Sequence, residues 1–264
     1  MTAITSQIVL AAPELGLLVL ASVLLVIDTV FSDSEHRVTY WLAQGILLLT
    51  ALTVFYQFPH TSVVTLAGHY VSDPMAAVLK IVICVTTIAV FIYAREFLRE
   101  HGLARGEFYI LGMFAVLGMM VMVSAYSLLA VYLGLELLSL SLYSMVAMHR
   151  DSSQASEAAM KYFVLGALAS GMLLYGMSML YGVTGTLTLS ELSMFVAVNA
   201  GSNLLLTFGL VFMLVGTLAL ATTAVMIRWP LVVVEAGFFT APLPGIRVSA
   251  TSGITGPGVG DQHP

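Results

Sequence analysis

Apolar runs of membrane-spanning length, separated by short polar connections, make up most of this chain. A helix needs about 20 predominantly apolar residues to cross the hydrocarbon core of a bilayer. By that measure the pattern predicts about seven spans, near Ile8–Val30, Val38–Phe58, Pro74–Ala94, Phe108–Ser124, Ser127–Met148, Ala158–Tyr181 and Asn203–Met226. Gly, Ala and Ser recur inside them, as expected where helices pack closely in lipid. The sixth span carries two interleaved small-xxx-small pairs, Gly166/Ser170 and Ala167/Gly171, which read as packing positions. Residues 229–239, WPLVVVEAGFF, are apolar but short and interrupted by Pro230 and Glu235, so a full eighth crossing is not expected. From Thr240 the chain is dense in Pro, Gly, Ser and Thr, too poor in large apolar side chains to offset its ordering entropy. The expected organisation is therefore a transmembrane helical domain over 1–239 and a disordered tail over 240–264.

The connections carry an orientation. Arg37, Arg95, Arg99, Arg105, Arg150 and Arg228 all follow odd-numbered spans, whereas Pro59–Asp73, Ala125–Tyr126 and Gly182–Ser202 contain no Lys or Arg. The positive-inside rule then places the odd connections in the cytoplasm and the N-terminus outside. Composition agrees with the pattern: 59% of residues are hydrophobic and 9% charged, against about 25% charged in soluble domains. The first apolar run lacks a basic n-region and a cleavage site, so it reads as a retained helix. The few basic residues never cluster, which excludes a nucleic-acid surface. One cysteine, Cys84, and six dispersed histidines give no disulfide and no metal-ligand spacing. The fold class expected is an all-α, polytopic membrane protein held in the lipid bilayer.

Against this apolar background one carboxylate stands out. Glu136 lies deep in the fifth span, in LGLELLSL, with no basic residue between Ser127 and Met148. An ionisable group at that depth is costly and usually marks an ion or proton pathway. Tyr132, Ser139 and Tyr143 follow helical spacing from Glu136, so three hydroxyls share its stripe and can hydrogen-bond a carboxyl or a water file. The alternative is a protonated acid serving as interhelical glue. A second polar pair, Glu157 and Lys161, sits at i, i+4 in the favourable order, with Ser156 positioned to cap the sixth span. Lys161 reads equally as a functional ammonium or as a lysine snorkelling to the interface. A cation approaching and leaving Glu136 would lower and raise its proton affinity in turn, which is one way to load and unload a proton. Lys80 is a further candidate, though snorkelling toward the outer interface is the simpler account. Glu14 and Asp28 read as helix-end or interfacial residues, and Arg95, Glu96, Arg99 and Glu100 as a solvated juxtamembrane turn closed by Gly102. No nucleotide-binding, hydrolase or metalloprotease motif is present.

The stretch GEFYILGMFAVLGMMVMVSAYSLLAVYLGLELLSLSLYSMVAMHRDSSQASEAAMKYFVLGALASGMLLYGMSMLYG, Gly106 to Gly182, resembles the subunit N family of bacterial NADH–quinone oxidoreductase, respiratory complex I. PEL at Pro13–Leu15 and DPMAAVLK at Asp73–Lys80 fit the same family, and the likeness covers roughly residues 1 to 216. It implies an antiporter-like subunit of the membrane arm, built on part of an inverted-repeat fold, in the bacterial inner (plasma) membrane among the other membrane-arm subunits. It implies that Glu136 is the fifth-helix glutamate of proton translocation, with Lys161 the sixth-helix lysine and Glu157 the acid before it. It also implies that this chain binds no cofactor, since NADH, FMN, the iron–sulfur clusters and quinone belong to partner subunits. The family continues with a lysine in the seventh helix and a whole second repeat. Here no Lys follows Lys161, and the likeness ends near Thr217. A truncated gene or shifted reading frame is the expected cause, and such a chain, if complete, would not pump. Two other readings remain at this point, a cation/proton antiporter subunit and a non-functional fragment.

Overall fold

The computed structural model of the protein describes residues 9–30, 37–100, 105–148, 153–199 and 203–239. Among them are eight α-helices and one small hairpin: α1 (Ala12–Val30), α2 (Arg37–Tyr56), β1 (Val63–Thr65), β2 (Tyr70–Ser72), α3 (Pro74–Glu100), α4 (Gly106–Val123), α5 (Leu128–Val146), α6 (Ser153–Thr184), α7 (Leu189–Asn199) and α8 (Leu204–Phe239). Seven helices are long and apolar enough to cross a membrane, the last of these spans being Leu204–Thr222 within α8. Each overlaps a span expected from the apolar pattern. The expected disordered tail, 240–264, lies outside the described residues.

Several boundaries differ for physical reasons. Helix α3 continues to Glu100, so Arg95 and Arg99 lie on helical turns instead of in a turn. The Arg95 guanidinium stacks 4.5 Å from the centre of the Tyr40 ring, which holds that extension against α2. Helix α6 begins at Ser153, so Ser156 is inside the helix and does not cap it. Helix α8 runs on through Pro230 to Phe239 and absorbs the short apolar segment. The chain divides into two compact units, Met1–Ile227 and Arg228–Pro264. The connection 59–73 holds the hairpin: β1 and β2 pair antiparallel with Val63 opposite Ser72 and Thr65 opposite Tyr70. A turn with positive φ at Leu66, Ala67 and Gly68 closes it. The connection 182–202 likewise holds α7, too short at 11 residues to span a bilayer.

Two apolar clusters organise the helices. The first joins α1 to α4 through Leu17, Ala21, Leu24, Leu47, Phe91, Met113 and Met120. The second joins Leu128 to α6, α7 and α8 through Leu173, Leu180, Leu192 and Leu206. Helices α4 and α5 meet where two glycines oppose each other. A Cβ on Gly118 would lie 2.7 Å from the Gly134 carbonyl oxygen, and one on Gly134 would lie 2.8 Å from the Gly118 oxygen. Only backbone-to-backbone contact fits there. Gly176 and Gly216 do the same between α6 and α8, where a Cβ would fall 2.6 Å from Met213 N or 2.7 Å from Leu173 N. Close approach through small residues is how helices gain packing energy in lipid.

Candidate functional site

Helix α5 starts at a true cap: Ser127 is extended and its hydroxyl accepts from Ala130 N at 3.3 Å. Below this cap α5 forms the seam between the two clusters. Leu137 packs against the first, whereas Tyr132 and Leu135 pack against the second. Glu136, between them in sequence, is half-buried on that seam. Its carboxylate accepts a hydrogen bond of 2.7 Å from the hydroxyl of Ser170 on α6. Ser170 is 6% exposed, so the donor of this bond is buried while its acceptor is half-buried.

The polar stripe expected around Glu136 is present in part. Tyr132 and Tyr143 both lie within electrostatic reach of its carboxylate, and the Tyr143 phenol also interacts with Ser139. Tyr143 is buried and reaches α6 at Gly166, where a Cβ would overlap the phenol oxygen. Gly166 and Ser170 thus form one polar-contacting face toward α5, which corrects the reading of this pair as packing alone. Ala167 and Gly171 are exposed, and a Cβ at Gly171 would meet nothing within 4 Å among the described residues. Ser170 escaped the sequence reading because a serine in a small-residue stripe carries no charge to mark it. Its signal was the i+4 spacing from Gly166 on the helix following Glu136.

Lys161 is not brought to Glu136. Its ammonium pairs with Glu157 at 2.5 Å, and the two side chains are 68% and 67% exposed. Nine residues separate Lys161 from Ser170, which on a helix is a rise of about 13 Å and two and a half turns, the opposite face. In this structure Lys161 is paired with Glu157 on a face of α6 away from Ser170.

A second buried site was unexpected. Lys80 does not snorkel: its ammonium meets the Glu14 carboxylate at 2.5 Å, with both side chains under a tenth exposed at 6% and 7%. Tyr70 closes the group. It donates toward Glu14 Oε1 and Oε2 at 3.1 and 3.2 Å and accepts from Lys80 Nζ at 2.9 Å. The Lys80 ammonium also lies 5.0 Å from the centre of the Tyr70 ring. Burial pushes the Tyr70 phenol above its ordinary range, and the nearby Glu14 charge pushes it further. Glu14 is thus a buried ion-pair partner and not an interfacial residue. Asp28, read as a helix end, accepts from the Thr39 hydroxyl and ties α1 to α2. A cavity of about 20 Å³ beside Lys80, Tyr70, Asp73 and Gln57 has room for roughly one water. Among the described residues no group of His, Cys, Asp or Glu could hold a metal ion.

With this geometry in place, known proteins supply the class. Residues 125–246 match the NADH:quinone oxidoreductase/Mrp antiporter transmembrane family, a match that runs past Thr217. The matched residues include Glu136, Ser170 and Lys161. Among the relatives it resembles, NADH-quinone oxidoreductase subunit N of Hydrogenovibrio crunogenus is 48% identical over 206 residues, 78% of this chain and 43% of that protein. The chain spans less than half the length of the curated relatives it matches. Among solved structures, respiratory complex I from Thermus thermophilus with bound aureothin matches 77% of this chain and 42% of the matched chain, at 28% identity and a TM-score of 0.60. The Mrp complex from Dietzia sp. DQ12-45-1b shares the fold over 80% of this chain and 23% of its own, with a TM-score of 0.63 at 18% identity. The chain is a multi-pass protein of the bacterial inner membrane.

Proposed function

We propose that this chain contributes a proton-translocation path to the membrane arm of an NADH–quinone oxidoreductase, with Glu136 as the group that takes up and gives back the proton. The observation that carries the reading is the Glu136–Ser170 bond of 2.7 Å on a seam inside the span. The carboxylate has one strong hydroxyl partner and further hydroxyls at Tyr132, Ser139 and Tyr143, and among the described residues no cation is paired with it. It is neither locked in an ion pair nor free in water, which suits a group that exchanges protons with a water file. Electron transfer from NADH to quinone, with FMN and iron–sulfur clusters, falls to other subunits, and this chain supplies no redox chemistry. Its partners are the neighbouring membrane-arm subunits, and the arginine distribution assigns the N-terminus to the outside.

Lys161 and Glu157 enter this reading as a pair turned toward whatever covers the outer face of α6. A charge held there acts on Glu136 only through a neighbouring helix. The test is NADH-driven proton uptake into vesicles by the complex assembled with this chain. Glu136→Gln abolishes uptake while the complex still assembles, and Glu136→Asp restores part of it. Normal uptake by an assembled Glu136→Gln complex overturns the reading. The shared fold with the Mrp complex supports a second reading, a cation/proton antiporter subunit. Loss of sodium or alkali tolerance on deletion, with NADH-driven uptake intact, selects that one.

A further inference from the structure

The turn from α4 into α5 is gripped from two sides. On one side the hairpin holds it: Tyr70 bridges Ala125, Val71 N donates to Ser124 O at 2.9 Å, and Tyr126 N donates to His69 O at 2.9 Å. His69 Nδ1 lies 2.8 Å from Ser127 Oγ, the hydroxyl that caps α5. On the other side Leu128 N donates to Leu187 O at 2.9 Å and Leu189 N to Tyr126 O at 3.1 Å. The start of the helix bearing Glu136 is therefore set by where these two segments sit.

The hairpin has little to hold itself in place. Its strands are three residues each, and Val63, Val64 and Leu66 are 41%, 46% and 40% exposed. A two-stranded ribbon of that size is marginal alone. Tyr70, Thr65 and Ser72 are its buried residues, and the Tyr70 hydroxyl reaches Glu14, Lys80 and the Leu10 carbonyl. Toward the next turn of α3 the pair meets apolar surroundings. The next residue on the same face of α3, Cys84, is fully buried in the apolar cluster with Leu17 and Ala21. A buried ion pair is a poor source of net stability, because well-packed apolar residues often do as well. What it supplies is a directional anchor.

We propose that Tyr70, Glu14 and Lys80 are positioning residues for the proton site. The buried pair fixes the hairpin through the Tyr70 hydroxyl, and the hairpin sets the register at which α5 presents Glu136 to Ser170. The inference rests on the reading of Glu136 given above. Tyr70→Phe is the deciding variant, since it removes one oxygen and leaves the pair and the ring packing in place. Infrared spectra of the chain purified in lipid nanodiscs report the Glu136 carboxyl band, identified by its loss in Glu136→Gln. Tyr70→Phe shifts that band, and proton uptake by the assembled complex falls between about twofold and tenfold with the amount of complex unchanged. The Glu14→Gln/Lys80→Met double variant acts in the same direction, and the Glu14→Lys/Lys80→Glu exchange restores both signals. An unchanged band and unchanged uptake in Tyr70→Phe overturn the inference. If Glu136→Gln abolishes uptake while Tyr70→Phe changes nothing, only the positioning role falls. If Glu136→Gln pumps normally, the proton-site reading falls, and the band alone still decides whether the hairpin places α5.

Discussion

Two carboxylates within the spans, Glu14 and Glu136, are housed in opposite ways. Glu14 on α1 has an ammonium at 2.5 Å, a phenol at 3.1 Å and 6% exposure, inside the four-helix cluster. Glu136 on α5 has one serine hydroxyl at 2.7 Å and stays half-buried, on a helix of which only 17% is buried by this chain. The neighbouring α4 is 56% buried. A carboxylate with a full set of partners gains nothing from releasing or binding a proton, because each change leaves a buried partner unpaired. One with a single neutral donor can change charge at a lower cost. On the function proposed above, the first site anchors and the second exchanges, and the contrast lies in their partners.

The contrast can be broken experimentally. The largest effect belongs to Lys80→Met, which strands the Glu14 charge and lowers stability by about 3–5 kcal/mol. Thermal unfolding in detergent reports it, and a midpoint near that of the parent would show that Glu14 is not held as an ion pair. Ser170→Ala acts on the other site and costs only about 1 kcal/mol, the scale of a hydrogen bond between membrane helices. Its main readout is the Glu136 carboxyl band, which moves when its donor is lost, while the unfolding midpoint barely changes. Lys161→Ala sits at the small end. The pair with Glu157 is exposed on the far face of α6, so the midpoint of the purified chain stays where it was. A large drop there would mean that Lys161 supports the bundle from within.

What the sequence disclosed follows from what is local. The apolar runs announce the spans, because length and composition alone decide whether a helix can cross. Glu136 announces itself because a lone charge in such a run has no neighbours to blur it. The stripe of Tyr132, Ser139 and Tyr143 needs only helical spacing. The rest depends on pairings distant in sequence. Glu14 and Lys80 are 66 positions apart in number, and each alone looks like a side chain near a helix end. A signal was available, since one acid and one base lie a similar distance inside spans that start from the same side. The hairpin was hidden because its strands are three residues long and its turn uses Leu66 and Ala67 at positive φ, where Gly or Asn is the usual marker. Whether Lys161 faced Glu136 could not be read from spacing until Ser170 fixed which face of α6 looks at α5.

The glycine crossing of α4 and α5 carries a mechanical consequence. Gly118 and Gly134 meet main chain to main chain, with only Leu138 and Met122 side chains reaching the crossing. The two helices form a closely seated strut at that level. Any stroke that opens or closes access to Glu136 is therefore delegated to the lighter parts around the strut: α6 swinging on its small-residue face, and the rotors of the glutamate and its tyrosines.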